Sequence, residues 1–151
     1  MKGKKILVVE DEHIVAMGIK RMLKSLGYQV TGIASTGEDA VCKAESIFPD
    51  LVLMDIMLKG KLGGLKAAEE IQTRFNTPVI YITACSDKKI RAQAEKTGAF
   101  GYITKPFDEN ELAESIETAL KNHEAEKKSS NMKTFPELII SLPSDLVPEG
   151  Q

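Results

Sequence analysis

Four places in the chain carry side chains whose type and spacing could do chemistry. Glu10, Asp11 and Glu12 follow the apolar run KILVV, Asp55 sits inside LVLMDIML, Thr83 closes VIYIT, and Lys105 comes just after FGYIT. Asp55 poses the sharpest question, because an ionised carboxylate among Leu51, Val52, Leu53 and Met54 is expensive to bury unless it is paired or holds a metal. The adjacent carboxylates at 10–12 repel one another, and a bound divalent cation is the natural relief. All-oxygen ligands without histidine or thiolate favour Mg²⁺ (or Mn²⁺), which keeps several waters and leaves coordination positions for phosphate oxygens. Lys105 would add a fixed positive charge, and Thr83 a hydroxyl donor, beside anything anionic placed on the carboxylate.

These residues can meet only if the chain gathers the ends of several strands. KILVV (5–9), LVLM (51–54), VIYIT (79–83) and FGYIT (100–104) are nearly continuous in apolar residues, as strands covered on both faces are. YQVTGIA (28–34) is more mixed and suits an edge strand. Helical spacing lies between the runs: Val15, Ile19, Met22, Leu23 and Leu26 form a face that stops at Gly27, and Ala40, Val41, Ala44 and Ile47 form another that ends near Pro49. A third helix runs from about Leu65 to Phe75, and a fourth from about Asp87 to Lys96, stopped by Gly98. The fifth follows Asp108, an N-cap with Glu111 as capping-box partner, and carries Leu112, Ile116, Ala119 and Leu120 on its apolar face. Strand and helix alternate five times, so the expected fold class is α/β, a doubly wound five-stranded parallel sheet with five helices on its two faces. Ligands of such sheets bind beyond the carboxyl ends of the strands, where the strand order reverses. Order 2-1-3-4-5 would make strands 1, 3, 4 and 5 neighbours and bring the four chemical positions into one cleft.

At 151 residues the chain has room for one domain with a sizeable core, followed by a tail. Its formal net charge of −2 gives no general electrostatic reason for binding nucleic acid or an anionic membrane, so any phosphate chemistry must be local. Cys42 and Cys85 lie far apart without metal or redox spacing and are expected to be reduced, buried thiols. No apolar run has the length of a membrane span and none near the N-terminus reads as a signal peptide, so a cytoplasmic location is expected.

The set VVEDE (8–12), LMDIM (53–57), YITA (81–84) and YITKPF (102–107), in this order and spacing, resembles the receiver domain of two-component response regulators over about residues 4–122. The resemblance implies a flavodoxin/CheY-like fold and a signalling domain rather than an enzyme. It implies that Asp55 accepts a phosphoryl group from a phosphohistidine, on a histidine kinase or a histidine phosphotransfer protein. Glu10 and Asp11 match the acid pair that holds Mg²⁺, with Asp55 and the backbone carbonyl of Met57 as further ligands. Lys105 matches the lysine that pairs with the phosphoryl group, Thr83 the switch hydroxyl, and Tyr102 the aromatic whose rotamer follows it. The Lys105-Pro106 bond is often cis in the family. The output would be a change in the face made by helix 4, strand 5 and helix 5, through which a homodimer is also conceivable.

Three departures from the commonest family pattern stand out. Glu10 occupies a position where aspartate is frequent, and its longer side chain alters the reach of the metal site. The loop LKGKLGG (58–64) is one residue longer than usual and lacks the usual proline; Gly63 and Gly64 permit positive φ and a tight entry into helix 3. Met57 and Cys85, two residues beyond Asp55 and Thr83, hold positions that tune water's access to the phosphate, and an apolar Met57 implies slowed hydrolysis. Two rivals fit less well: a flavodoxin-like cofactor protein would need a phosphate-cradling loop where EDEH stands, and an aspartyl phosphatase a DxD motif after the first strand. The domain is expected over residues 1–126. Residues 127–151, with a break at SSN (129–131) and three prolines, read as a linker, a tail or the stub of a larger hybrid or receiver-first histidine kinase. A stand-alone response regulator or phosphorelay shuttle is the alternative, and roughly 25 further residues leave no room for a helix-turn-helix DNA-binding module.

Overall fold

The computed structural model describes residues 3–58, 62–84 and 87–141, with side chains as far as residue 126. Five strands, β1 (Lys5–Val9), β2 (Gln29–Ala34), β3 (Leu51–Asp55), β4 (Val79–Thr83) and β5 (Gly101–Thr104), alternate with α1 (His13–Ser25), α2 (Gly37–Ile47), α3 (Gly64–Phe75), α4 (Lys88–Lys96) and α5 (Glu109–Ser141). All strands pair in parallel in the order β2-β1-β3-β4-β5, as the alternation of the sequence requires. The mixed run at 28–34 forms an edge strand.

Side chains of a strand point alternately to its two faces, so each apolar run feeds two cores. Leu7, Val9, Val52, Met54, Val79 and Tyr81 pack with Ala40, Ala44, Ala67 and Ile71 of α2 and α3 on one face. Ile6, Val8, Leu51, Leu53, Ile80 and Ile82 pack with Ile19, Leu23, Leu112 and Ile116 of α1 and α5 on the other. Burying one such aliphatic side chain stabilises the fold by roughly 1.5–3 kcal/mol. β3 and β4 are buried at every position, which fixes the level at which Asp55 and Thr83 leave the sheet.

Polar residues set the helix ends. Thr36 accepts a hydrogen bond from Asp39 N at 3.0 Å and Asp87 accepts one from Lys89 N at 2.8 Å, starting α2 and α4. The capping box before α5 is complete: Asp108 Oδ1 accepts from Glu111 N at 2.8 Å and Glu111 Oε1 from Asp108 N at 3.4 Å. Gly27 and Gly98 take positive φ where α1 and α4 stop.

Two expectations are corrected. Cys42 is exposed and free, because the core face of α2 runs through Ala40, Val41 and Ala44 and position 42 falls on the opposite side; Cys85 lies outside the described residues. The backbone is helical across 129–131, where a break was expected. Ser and Asn each disfavour a helix by less than about 0.7 kcal/mol relative to Ala, too little to stop one. The chain divides into two compact units, Met1–Leu120 and Lys121–Gln151, and the described part of the second is helical. Among the described residues no helix is long and apolar enough to cross a membrane.

The Tyr81 hydroxyl is 2.7 Å from Thr97 Oγ1, which donates to Ala94 O at 2.6 Å, and Gln72 Nε2 donates to Thr97 O at 2.7 Å. This polar cluster ties the end of α4 to β4 and α3. Burial pushes the Tyr81 phenol up to about 12. The folded state therefore holds a proton that the unfolded chain releases near pH 10, and stability falls as pH rises from about 10 to 12. Denaturant unfolding at pH 9 and 11.5 should show the wild type losing about 2 kcal/mol more than Tyr81→Phe over that interval. Equal losses would show that Tyr81 ionises freely in the fold.

Candidate functional site

Glu10 directly follows β1, its backbone N–H still donating to Ala34 O of β2 at 2.9 Å. The extension carries the carboxylate inward, to 1% exposure. Glu10 Oε1 accepts from Lys105 Nζ at 2.6 Å and Oε2 from the backbone N–H of Glu12 at 3.1 Å. Asp55, the last residue of β3 and 5% exposed, accepts from Met57 N at 3.0 Å through Oδ1 and lies 3.4 Å from Lys105 Nζ through Oδ2. Lys105 follows β5, and its backbone N–H donates to Thr83 O at 2.8 Å. Its peptide bond to Pro106 is cis. Thr83 is fully buried at the end of β4, opposite Thr104 of β5.

Glu10, half-buried Asp11 and Asp55 present carboxylate oxygens that all lie within 4.8 Å of one another. Three carboxylates face one ammonium, so the fully ionised cluster carries a net charge of −2. Burial raises the Glu10 carboxyl above its usual range, more than the Lys105 hydrogen bond lowers it. For Lys105, burial alone would lower the ammonium, but the Glu10 hydrogen bond and the Asp55 and Glu10 charges outweigh it and the net shift is upward. Both groups hold protons more tightly than they would in water, Glu10 because it is buried and Lys105 because of the carboxylates beside it. An all-oxygen cluster of this spacing, open on the Asp11 side, has the donor chemistry of a hard divalent cation site.

The structure thus brings together Glu10, Asp11, Asp55 and Lys105, with Thr83 adjoining through the Lys105 backbone. Met57 contributes its amide, while its side chain is 60% exposed. Tyr102 is half-buried on β5 opposite Tyr81, with the Arg91 guanidinium 5.1 Å from its ring centroid. Cys85 lies outside the described residues. Glu12 is the N-cap of α1 yet makes no side-chain cap; its contribution is the N–H given to Glu10. His13 is exposed.

The glycine pair permits positive φ, but the entry into α3 is tight without using it. Gly63 has φ −74°, and the described glycines with positive φ are Gly3, Gly27 and Gly98. Gly64 is needed for a different reason: it opens α3 against the backbone of Asp55 and Ile56, where a side chain would have no room. Gly37, which sequence reading did not single out, meets the backbone of Leu62 in the same way.

The sequence model of the family described as "Response regulator receiver domain" matches residues 6–117. Among curated proteins, the chain is similar to the transcriptional regulatory protein PdtaR of Mycobacterium tuberculosis, with 36% identity over 117 residues that cover 78% of this chain and 57% of that protein. The chain thus spans a little over half the length of the curated relatives it matches. Among solved structures it is similar to the signal receiver domain of a modulated diguanylate cyclase from Desulfovibrio desulfuricans G20, with TM-score 0.79, 37% identity, and coverage of 83% of this chain and 99% of that one. It is also similar to the N-terminal domain of a response regulator/sensory box/GGDEF 3-domain protein from Carboxydothermus hydrogenoformans, with TM-score 0.74, 39% identity, and coverage of 82% and 98%.

Removing the ammonium should expose the charge excess directly. Lys105→Met keeps the apolar stem but leaves Glu10 and Asp55 without a cation, and should cost about 3 kcal/mol of stability at pH 8. The deficit should shrink as the pH is lowered from 8, because Glu10, raised by burial, takes up a proton in the ammonium's place more readily than a carboxyl in water does. Denaturant unfolding at pH 8 and at lower pH checks this; equal stability of variant and wild type at pH 8 would show that the ion pairs contribute nothing.

Proposed function

The chain belongs to the response regulator receiver domain family, and from that premise we propose that it is a signalling domain in which Asp55 accepts a phosphoryl group from a partner's phosphohistidine. The observation that carries this reading is the geometry of Asp55: it is almost completely buried, 3.4 Å from a lysine ammonium and grouped with two further carboxylates. A purely structural aspartate needs one partner, not a surrounding excess of its own charge.

In the proposed reaction an Asp55 carboxylate oxygen attacks phosphorus, the P–N bond to the imidazole breaks, and the imidazole leaves with the bonding electron pair. The Met57 N–H on Oδ1 orients the carboxylate, leaving the Oδ2 side towards Lys105. Phosphoryl transfer spreads negative charge over the equatorial oxygens, and the protein mainly positions and neutralises it. Lys105 supplies one positive charge for that purpose. Glu10, Asp11, Asp55 and the Met57 backbone carbonyl would hold Mg²⁺ (or Mn²⁺), which when bound supplies the remaining neutralisation.

Once Asp55 is phosphorylated, its oxygens offer acceptors to the Lys105 ammonium and the Thr83 hydroxyl. Movement of Thr83 is transmitted to Tyr102 along the β4–β5 pairing, in which Tyr81 lies opposite Tyr102 and Thr83 opposite Thr104. The signal is the altered surface of α4, β5 and α5, through which two copies can also pair. Met57 and Cys85 set water's access to the phosphate. The partners are a histidine kinase or a histidine phosphotransfer protein; the net charge of −2 supports no nucleic-acid contact by this chain itself. Residues 1–126 form the receiver and 127–151 a connecting segment. We place it in a larger signalling protein, such as a hybrid or receiver-first histidine kinase; the longer curated relatives it matches are named as transcriptional regulatory proteins and response regulators.

Incubation with acetyl phosphate and Mg²⁺, followed by intact-mass measurement, should add one phosphoryl group to the wild type and none to Asp55→Asn. No adduct on the wild type, or an equal adduct on the variant, would overturn the assignment.

A further inference from the structure

We propose that Gly37 and Gly64 are positioning residues of the acidic site, acting as a backbone-on-backbone stack that sets where Asp55 and Met57 stand. This inference rests on reading the acidic cluster as a cation site. Gly64 opens α3, and a Cβ there would lie inside van der Waals contact with the Asp55 carbonyl oxygen, 2.8 Å from Ile56 Cα and 2.9 Å from Ile56 O. Contacts this short must push something away, and the atoms in the path are backbone, which cannot rotate aside. They belong to Asp55 and the residue joining it to Met57, whose amide orients the Asp55 carboxylate at 3.0 Å.

Gly37 adds the outer layer. It is the first residue of α2, and a Cβ there would press into the Leu62 carbonyl oxygen, 3.0 Å from the Leu62 carbonyl carbon and 3.2 Å from Ala67 Cβ. Leu62 leads through Gly63 into Gly64, so the start of α2 bears on the entry to α3, and that entry bears on the end of β3. Two missing side chains thus carry the position of one helix layer to the carboxylate. Gly63, between them, provides the contrast: a Cβ on it would meet nothing within 4 Å, and its φ of −74° suits any residue. Close approach distinguishes Gly37 and Gly64, not glycine content as such.

The test measures Mn²⁺ affinity by isothermal titration, and the Met57 amide resonance by metal-free ¹⁵N NMR, in the wild type and in Gly37→Ala, Gly64→Ala and Gly63→Ala. The expected result is that all four fold cooperatively, that Mn²⁺ affinity falls about tenfold or more in Gly37→Ala and Gly64→Ala, as for groups supporting metal ligands, and that Gly63→Ala matches the wild type. The Met57 amide should shift in the same two variants only. A merely structural role would lower their melting temperatures while affinity and the Met57 resonance stayed as in the wild type, and that result overturns the proposal. So does loss of the fold in both variants, which would make the glycines necessary for the domain as a whole. If the wild type itself fails to bind Mn²⁺, the cation-site reading fails, and the amide shifts alone decide whether the stack positions Asp55 and Met57.

Discussion

The Lys105 ammonium, shared between two buried carboxylates, is the interaction on which the site depends. At an effective dielectric of about 20, opposite unit charges about 4 Å apart attract by about 4 kcal/mol, enough to offset much of the desolvation of one partner but not of three. Glu10 holds the ammonium at 2.6 Å and Asp55 at 3.4 Å, so the lysine is committed chiefly to Glu10 and Asp55 is left undersupplied with positive charge. A carboxylate in that state is a poor structural residue and a good place to put a cation and a phosphoryl group. The glutamate matters here: its extra methylene lets one oxygen reach Lys105 while the other takes the Glu12 N–H.

Such a cluster persists because the surrounding fold leaves it little freedom. β3 and β4 are buried at every position, and the parallel order β2-β1-β3-β4-β5 brings the ends of β1, β3, β4 and β5 to one edge. The Thr83 carbonyl fixes the Lys105 backbone from β4, and the Met57 amide fixes the Asp55 carboxylate from the residues beyond β3. Lys105 is thereby held from the neighbouring strand and Asp55 from the segment that follows its own. On the proposed reading, a response to phosphorylation would come from the less buried parts, and α4, whose buried side chain is Ala94, is anchored at its far end by the Tyr81 and Thr97 hydroxyls.

Much of this is legible in the chain because it rests on periodicity and on chemical implausibility. Strand runs such as VIYIT and helix faces such as Leu112, Ile116, Ala119 and Leu120 follow their periods, and the Asp108 and Glu111 capping box reads directly. Asp55 is conspicuous because its neighbours are apolar. The misses arise where one residue type serves two physical needs. Gly63 and Gly64 permit both positive φ and a tight helix entry, and only the fold reveals that close approach is what requires Gly64. Cys42 reads as buried by the habit of its type, whereas its helical phase puts it outside. Ser129, Ser130 and Asn131 read as a break although their weak propensities permit a helix. The pairing of Glu10 with Lys105 joins residues 95 positions apart, so no local pattern announces it.

The central claim is that the buried cluster is arranged for a cation and a phosphoryl group on Asp55, with Lys105 passing from Glu10 to the phosphoryl oxygens. A crystal structure with Mg²⁺ and beryllofluoride, a stable mimic of the phosphoryl group, tests it most directly. The expected structure has beryllofluoride on an Asp55 carboxylate oxygen, Mg²⁺ bound by Glu10, Asp11, Asp55 and the Met57 carbonyl, and the Lys105 ammonium on a fluorine. Lys105 still paired with Glu10 beside an unmodified Asp55, at saturating Mg²⁺ and beryllofluoride, would contradict it.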